Sequence, residues 1–168
     1  TYDVYGNSSS CEATITVADI FPPVTACQDI TVQLDSSGNV SIVSSQVDNG
    51  SSDACSGISS MTMSTSAFTC GVSGANNITL TVADQSGTTA SCLSVVTVED
   101  NIAPAMQCQD ATVSLDASGN YSLATSAIDN GSTDACGFTS MSVAPASFNC
   151  SDIGTNAVTL TGTDNNSN

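Results

Sequence analysis

The chain has 168 residues and carries 16 Asp and Glu side chains with no Lys, Arg or His, so its formal net charge at pH 7 is −16. Nucleic-acid binding depends on Lys and Arg side chains that neutralise phosphates, so this composition excludes nucleic acid as a partner. Anionic membrane surfaces are excluded for the same reason, and no apolar run approaches the ~20 residues that a membrane span requires. We therefore expect no membrane insertion.

Apolar residues alternate with Thr and other polar residues along several short stretches. In chain order, these include Cys11–Val17, Ile30–Leu34 and Ile78–Val82. A period of two is typical of half-buried β-strands, and no stretch has the 3.6-residue period of an amphipathic helix. Clusters of Asp, Asn, Ser and Gly predict turns between the strands, at 35–39, 48–57, 71–77 and 84–89. The sequence therefore predicts an all-β fold.

An eight-residue stretch occurs twice and gives the chain an internal register. Asp48–Cys55 returns as Asp129–Cys136 with seven of the eight residues identical, at an offset of 81 residues. Recurrence at such a distance indicates a tandem array of one module. The register predicts the C-terminal strands of a truncated repeat, a complete repeat and a repeat that lacks its last strand, at 1–19, 20–100 and 101–168. We expect the chain to be an excerpt of a longer array.

Six or seven short strands in about 81 residues are typical of an immunoglobulin-like (Ig-like) β-sandwich. We therefore predict tandem Ig-like sandwiches arranged as an elongated rod. With no Trp, four Phe and three Tyr, the cores consist of Val, Ile, Leu and Met, and small cores of this kind gain from disulfide bonds. The eight cysteines include no CxxC pair and have no His to accompany them, which favours disulfides in an oxidising, extracellular compartment over zinc.

The predicted strand arrangement indicates how the cysteines pair. Cys27 lies near the start of the first strand of the complete repeat, and Cys92 starts its last strand. These two strands run parallel and adjacent in an Ig-like sandwich, so we predict a Cys27–Cys92 bond. A bond from Cys92 to Cys108 would require the next repeat to fold back along about 26 Å of strand. The remaining predictions are Cys55–Cys70 and Cys136–Cys150, with partners outside this sequence for Cys11 and Cys108.

Several motifs occur at matching positions in both repeats. They are Cys-Gln-Asp at 27–29 and 108–110, Leu-Asp-x-Ser-Gly-Asn at 34–39 and 115–120, the octapeptide Asp-Asn-Gly-Ser-x-Asp-Ala-Cys, Phe-x-Cys at 68–70 and 148–150, and Thr-Leu-Thr-x-x-Asp at 79–84 and 159–164. Through these motifs the chain resembles the hyalin-type (HYR-like), Ig-like repeats of very long secreted adhesins, which are typical of Bacteroidota and include adhesins of gliding motility. The resemblance implies export to the cell surface and a role in adhesion.

The sequence contains few of the groups that enzymatic catalysis needs. Without His or Lys, the Ser and Thr hydroxyls have no base to activate them as nucleophiles. Asp48 and Asp53 are a conceivable carboxylate pair for glycoside hydrolysis. Both return, however, as Asp129 and Asp134, and repeated modules rarely each carry an active site. We expect no catalytic activity.

Calcium is the metal that suits this composition, because Ca²⁺ takes oxygen ligands from carboxylates, Asn side chains and backbone carbonyls. Two placements are open, one at the short Pro-containing linkers between repeats and one in the octapeptide loop. The linker set is Asp19, Asp84, Glu99, Asp100 and Asn101, and the loop set is Asp48, Asn49, Asp53, Asp129, Asn130 and Asp134. The alternative to a metal is that these acids are solvated turn residues.

The leading hypothesis is a non-catalytic spacer or stalk repeat of a cell-surface adhesin or filament. Its partners would be neighbouring repeats of the same chain, with surfaces or glycans bound through parts outside this sequence. The alternative is a glycan-binding Ig-like module. That function needs exposed aromatic side chains, and the candidates are Tyr2, Tyr5, Phe21 and Tyr121.

Overall fold

The structure is a computed structural model that describes residues 4–168, and strands are its dominant element, as the sequence predicts. Residues 20–100 are called the first segment below and residues 101–168 the second segment. The first segment contains β1 (Ile30–Gln33), β2 (Asn39–Ser41), α1 (Ser44–Val47), β3 (Ile58–Met63), β4 (Ala67–Thr69), β5 (Gly74–Asp84) and β6 (Thr89–Glu99). The second segment contains β7 (Asn120–Ser122), β8 (Phe138–Ala144), β9 (Ser147–Asn149) and β10 (Thr159–Asp164). Single 3₁₀ turns lie at Cys70–Val72, Thr125–Ala127 and Cys150–Asp152. Within residues 4–168 no helix has the length and apolar character that crossing a membrane requires.

A four-stranded sheet with the order β1-β6-β5-β3 forms the larger part of the first segment. β5 pairs antiparallel with both β6 and β3. β1 lies parallel to β6, with Ile30 opposite Val96 and Val32 opposite Val98. The parallel, adjacent position of these first and last strands agrees with the prediction. β2 and β4 form a separate antiparallel pair.

The alternation of side chains along β5 and β6 builds the core of the first segment. Ile78, Leu80 and Val82 on β5, and Val96 and Val98 on β6, are each at most 2% exposed. Residues from the β2–β4 side join the same cluster, namely Leu34, Ile42, Val47 and Phe68. Burying one aliphatic side chain of this size contributes about 1.5–3 kcal/mol. The cluster therefore holds the four-stranded sheet against the β2–β4 pair.

The second segment reproduces the contacts of the first. β7 pairs with β9 as β2 pairs with β4, and β8 pairs with β10 as β3 pairs with β5. Isolated bridges recur at an offset of 81 residues, with Ala105–Thr133 and Cys108–Asp129 corresponding to Val24–Ser52 and Cys27–Asp48. The counterpart of β1, at 111–114, is not a strand. β1 hydrogen-bonds only to β6, and residues 101–168 contain no counterpart of β6.

The strand predicted at Cys11–Val17 does not form. Ile15 is 85% exposed and Val17 is 91% exposed. Their counterparts 81 residues later, Val96 and Val98, are buried in β6 between β1 and β5. A strand is stable only when neighbouring strands pair with it and cover its apolar face, and residues 11–17 have no such neighbours. The prediction of C-terminal strands within 1–19 is therefore wrong for this stretch.

Two disulfides link four of the cysteines. The Cys27–Cys92 bond has a Cα–Cα distance of 5.9 Å and agrees with the predicted pairing. It closes a ring with a sequence separation of 65 residues, and loop-closure entropy makes such a ring worth about 4 kcal/mol. The second bond joins Cys70 to Cys136 and so connects the two segments. The other four cysteines, Cys11, Cys55, Cys108 and Cys150, are free and exposed.

The predicted bonds Cys55–Cys70 and Cys136–Cys150 are thus wrong in this structure, and strand geometry explains the error. Cys55 lies just before β3, whose first residue, Ile58, is opposite Asp84 at the end of β5. Cys70 lies just before β5 begins. The eleven-residue length of β5 therefore separates the two cysteines by roughly 30 Å, although they are close in sequence. Cys136 and Cys150 occupy the corresponding positions before β8 and β10.

Candidate functional site

At the junction between the two segments, a turn of the first segment contacts a loop of the second. The turn contains Gly38, whose φ of +72° lies in the region that glycine adopts at no steric cost. A Cβ atom at Gly38 would lie 2.5 Å from the Cys70 Sγ atom and 3.3 Å from the Ala135 Cβ atom. Ala135 is part of the second octapeptide and precedes Cys136. The absence of a side chain at Gly38 therefore lets the octapeptide loop approach closely enough for the Cys70–Cys136 bond.

Buried carboxylates lie at the ends of the long strands. Every second residue of these strands faces inward, and the inward position that follows the last apolar residue is occupied by Asp. Along β5, Asp84 follows Leu80 and Val82 on the inward face and is 2% exposed. Asp164 ends β10 in the same way and is 1% exposed. Asp100 follows Val98 of β6 on the inward face and is 5% exposed. Period-two spacing therefore places an acid at each of these strand ends.

The first acidic cluster consists of Asp19, Asp53 and Asp84. One carboxylate oxygen of each lies within 4.8 Å of the others. Asp19 precedes the linker into the first segment, Asp53 belongs to the octapeptide loop, and Asp84 ends β5. Lys, Arg and His are absent from the sequence, so no side-chain cation balances these three carboxylates.

Hydrogen bonds fix the orientation of two acids in the first cluster. The Asp53 Oδ1 atom accepts hydrogen bonds from the backbone N–H groups of Cys55, Ser56 and Gly57, at 3.0, 2.7 and 3.1 Å. The hydroxyl of Thr88 lies 2.6 Å from Asp84 Oδ2, and its backbone N–H donates to Asp84 Oδ1. Both carboxylates are thereby held rigidly, which lowers the ordering cost of binding an ion there.

The second acidic cluster lies at the segment junction and contains Asp100 and Asp134. An oxygen of each lies within 4.8 Å of the other and of the Cys136 Sγ atom. Because Cys136 is bonded to Cys70, its sulfur is not a thiolate and cannot serve as a metal ligand of that kind. Asp100 and Asp134 lie 81 residues after Asp19 and Asp53, so equivalent acids occupy equivalent places in the two clusters.

The same oxygen is left without a partner in both clusters. Asp19 Oδ1 accepts a hydrogen bond from the Phe21 N–H, and Asp100 Oδ1 accepts one from the Ile102 N–H. The Oδ2 atoms of Asp19 and Asp100 are buried and accept none, and they are the only two such side-chain atoms found among residues 4–168. A buried polar atom without a partner costs free energy. A bound cation would remove this cost, and carboxylate oxygens are ligands that Ca²⁺ prefers.

The pKa of several of these carboxyls is lowered by hydrogen bonds. For Asp84, burial opposes ionisation, but hydrogen bonds from Thr88, Ser86 and Gly87 together outweigh it and lower the pKa. For Asp53, the backbone N–H of Ser56 is the largest cause of the lowered pKa. The pKa of Asp164 is lowered in the same manner as that of Asp84. These groups are therefore ionised at neutral pH.

Acid should weaken the fold through Asp84. A carboxyl whose pKa is lower in the folded state contributes stability above its unfolded pKa of about 3.9, and this contribution is lost as the pH falls through the folded pKa. We expect the thermal midpoint to fall as the pH drops below about 4 in calcium-free buffer, and to fall less in Asp84→Asn. Asp110→Asn is the matched control, because Asp110 is exposed. Equal acid sensitivity of the two variants in a thermal melt series would contradict this prediction.

The other acids of the predicted loop set close turns instead of joining a cluster. Asp48 Oδ1 accepts the Ser51 N–H at 3.0 Å, and Asp129 Oδ1 accepts the Ser132 N–H at 3.0 Å. The side-chain hydroxyl of Ser51 is the largest cause of the lowered pKa of Asp48, and the backbone N–H groups of Ser51 and Gly50 lower it further. Asn49 and Asn130 belong to these same turns. The octapeptide thus contributes only its second acid, Asp53 or Asp134, to a cluster.

The linker set is likewise divided by the structure. Glu99 accepts a hydrogen bond from the Gln33 side-chain amide, and Asn101 donates one to the same amide group. Neither residue belongs to an acidic cluster. The structure therefore combines Asp19 and Asp84 from one predicted placement with Asp53 from the other. The sequence analysis did not name Asp164 as a candidate site residue, although the alternation of inward and outward residues along β10 places it on the inward face.

The aromatic residues considered for glycan binding have different environments. Tyr5 and Phe21 are exposed, at 87% and 70%. Tyr121 packs against the small core of the second segment and lies opposite Phe148. Tyr2 lies outside the described residues.

Comparisons with protein-family models, with curated proteins and with solved structures found no match to this chain.

Proposed function

We propose that the chain is a stretch of tandem Ig-like repeats that serves as a non-catalytic spacer in an extracellular adhesin or filament. The observation that carries this proposal is the Cys70–Cys136 disulfide, which ties one segment covalently to the next. A bond between modules adds no catalytic or ligand-binding group. A spacer does gain from it, because the bond limits bending and separation at the junction.

Recurrence of structure supports the tandem arrangement. The β2–β4 and β7–β9 pairs have the same register, with Val40 opposite Phe68 and Tyr121 opposite Phe148. The core cluster that joins the four-stranded sheet to the β2–β4 pair supports a sandwich. Two disulfides suit an oxidising compartment outside the cytoplasm.

The charge of the chain fits an extended fibre. A net charge of −16 without any compensating cationic side chain makes neighbouring modules repel one another. This repulsion opposes both folding back of the fibre and lateral aggregation. It also raises the local concentration of cations around the acidic clusters.

Calcium is the second component of the proposal. The ligands would be Asp19, Asp53 and Asp84 in the first cluster, and Asp100 and Asp134 in the second. Asp100 ends the first segment and Asp134 belongs to the octapeptide of the second segment, so an ion bound there would tie the segments together next to the disulfide. The ion would supply positive charge and would give the buried Oδ2 atoms of Asp19 and Asp100 the partner that they lack.

Small-angle scattering of the monomeric, oxidised chain tests the spacer proposal. Two segments placed end to end, each about as long as the eleven residues of β5, give a rod of roughly 75–80 Å with a radius of gyration near 24 Å. A compact domain of this length has a radius of gyration of about 15 Å. Cys70→Ser should leave both segments folded and broaden the distance distribution, whereas Cys150→Ser, which removes a free thiol, should not. A radius of gyration near 15 Å would contradict the proposal.

A further inference from the structure

We propose that the Cys70–Cys136 disulfide regulates calcium binding at the second acidic cluster. While the bond is intact, Asp100 and Asp134 bind Ca²⁺ more tightly than they do after its reduction. Bound Ca²⁺ in turn protects the bond from reduction. This inference rests on the calcium component of the function proposed above, and it adds a redox control to that site.

The two acids of the second cluster come from different segments. Asp100 ends the first segment, is 5% exposed, and has a buried Oδ2 atom without a hydrogen-bond partner. Asp134 belongs to the octapeptide loop of the second segment, and one of its oxygens lies within 4.8 Å of an Asp100 oxygen. An ion that binds both acids pays less ordering cost when the segments are already held in place. Its affinity therefore depends on what holds the Asp134 loop against the first segment.

The disulfide holds that loop in place. The Cys136 Sγ atom lies within 4.8 Å of an oxygen of each acid, and the Cys136 N–H donates a hydrogen bond to Asp134 Oδ1 at 2.8 Å. Within the part of the chain that the structure describes, the hydrogen bonds of the loop 129–136 all lie inside the second segment. The bond from Cys136 to Cys70 is thus the direct attachment of the loop to the first segment.

A cleft of about 320 Å³ opens at the same junction. Asp100, Asp134 and Cys136 line it, together with a third acid, Asp35. The two acids of the cluster therefore border a space that an ion can occupy. Lys, Arg and His are absent from the sequence, so only a cation from solution can balance the carboxylates of this cleft.

Calcium should act on the disulfide as strongly as the disulfide acts on calcium. The closed bond keeps the like charges of Asp100 and Asp134 together, and their repulsion opposes closure until a cation offsets it. Binding equilibria are reciprocal, so the factor by which the bond raises calcium affinity is also the factor by which calcium disfavours reduction. Couplings of this kind are typically about 5–150-fold. A tenfold effect corresponds to about 30 mV for a two-electron couple.

The reductant in this equilibrium is a dithiol, for example dithiothreitol. It transfers two electrons and two protons to the disulfide, so that Cys70 and Cys136 become thiols and the dithiol closes into its own cyclic disulfide. No other reactant is required.

Calorimetric titration of the whole chain with CaCl₂ tests the first half of the proposal. The exposed free thiols are alkylated beforehand, and all proteins carry Asp53→Asn, which removes one acid of the first cluster. In this background, Cys70→Ser combined with Cys136→Ser should lower calcium affinity about tenfold. Cys150→Ser is the matched control, because it breaks no disulfide and should leave the affinity unchanged. Asp100→Asn should remove the binding that responds to the disulfide.

The redox equilibrium of the chain with its native disulfides tests the second half and does not depend on how the double cysteine variant folds. In the same Asp53→Asn background, saturating calcium should shift the reduction of Cys70–Cys136 by dithiothreitol about tenfold relative to chelator. The Cys27–Cys92 bond is an internal control, because it lies within the first segment and its equilibrium should not change. Alkylation followed by peptide mapping quantifies the two bonds separately.

Equal calcium affinity with and without the bond would overturn the coupling and leave the calcium site standing. A calcium shift of the same size for both disulfides would indicate general stabilisation of the fold and would overturn it as well. If the Asp53→Asn chain binds no calcium at all, the calcium component of the proposed function fails at this cluster and the inference fails with it. The scattering experiment tests the spacer function separately.

Discussion

When residues 20 and 168 of the oxidised chain are pulled apart until both segments unfold, the chain should extend to only about 220 Å, compared with about 510 Å after reduction. The disulfides explain the difference. The shortest covalent path runs from residue 20 to Cys27, crosses to Cys92, returns to Cys70 and crosses to Cys136 before it continues to the end. About 64 residues carry the load instead of about 149, at close to 3.4 Å for each residue. Single-molecule force spectroscopy measures these lengths directly.

Cys70→Ser is the variant that distinguishes this pairing from the one that the sequence predicts. It opens the bond between the segments, so the path becomes about 21 residues, or roughly 70 Å, longer. If Cys70 were bonded to Cys55 instead, that small ring would lie wholly within the Cys27–Cys92 ring, and its loss would leave the extended length unchanged. Cys150→Ser is the control, because Cys150 is free and its removal alters no covalent path.

The two cysteine predictions had different outcomes because they used different kinds of information. Cys27–Cys92 was inferred from the relative direction of two strands, which the parallel pairing of β1 with β6 provides. Cys55–Cys70 was assigned as the pair that remained within the same repeat, with no account of strand direction. β3 and β5 run antiparallel, with Ile58 opposite Asp84, so residues before β3 and residues before β5 lie at opposite ends of the segment. Pairings across a sheet need its register, and the sequence supplies only its period.

The sequence indicated that an acidic site would consist of carboxylates, but it did not indicate which residues lie together in it. The excess of carboxylates identified calcium as the metal to consider, and both predicted placements contained true neighbours of the first cluster. What joins Asp53 to Asp84 is the pairing of β3 with β5, which brings the octapeptide next to the end of β5. The inward positions of Asp84 and Asp164 could have been read from the alternation of β5 and β10. The sequence could not show that the Oδ2 atoms of Asp19 and Asp100 lack a hydrogen-bond partner, because this depends on how the linkers pack.

Calcium at 10 mM should raise the free energy of unfolding by about 1.4–2.7 kcal/mol, if the site has the dissociation constant of about 10⁻⁴–10⁻³ M that is common in extracellular modules. For a module of about 80 residues, this corresponds to an increase on the order of 10 °C in the thermal midpoint. Magnesium should do less, because it demands a small octahedral site and gives up its water reluctantly. Melting curves with calcium, with magnesium and with chelator measure the effect. Asp48→Asn should keep the full calcium increment, since Asp48 only closes a turn.

Asp100→Asn gives the sharpest form of this prediction because two effects of opposite sign are expected. In chelator, the substitution removes a buried charge whose Oδ2 atom has no partner and which lies within 4.8 Å of an Asp134 oxygen, so the calcium-free protein should become more stable. In calcium, the same substitution removes a ligand, so the increment from the second cluster should disappear. A solvated turn acid would produce neither effect. If Asp100→Asn lowers the midpoint equally with and without calcium, Asp100 acts only through the hydrogen bond that its Oδ1 accepts from Ile102, and the cluster holds no ion.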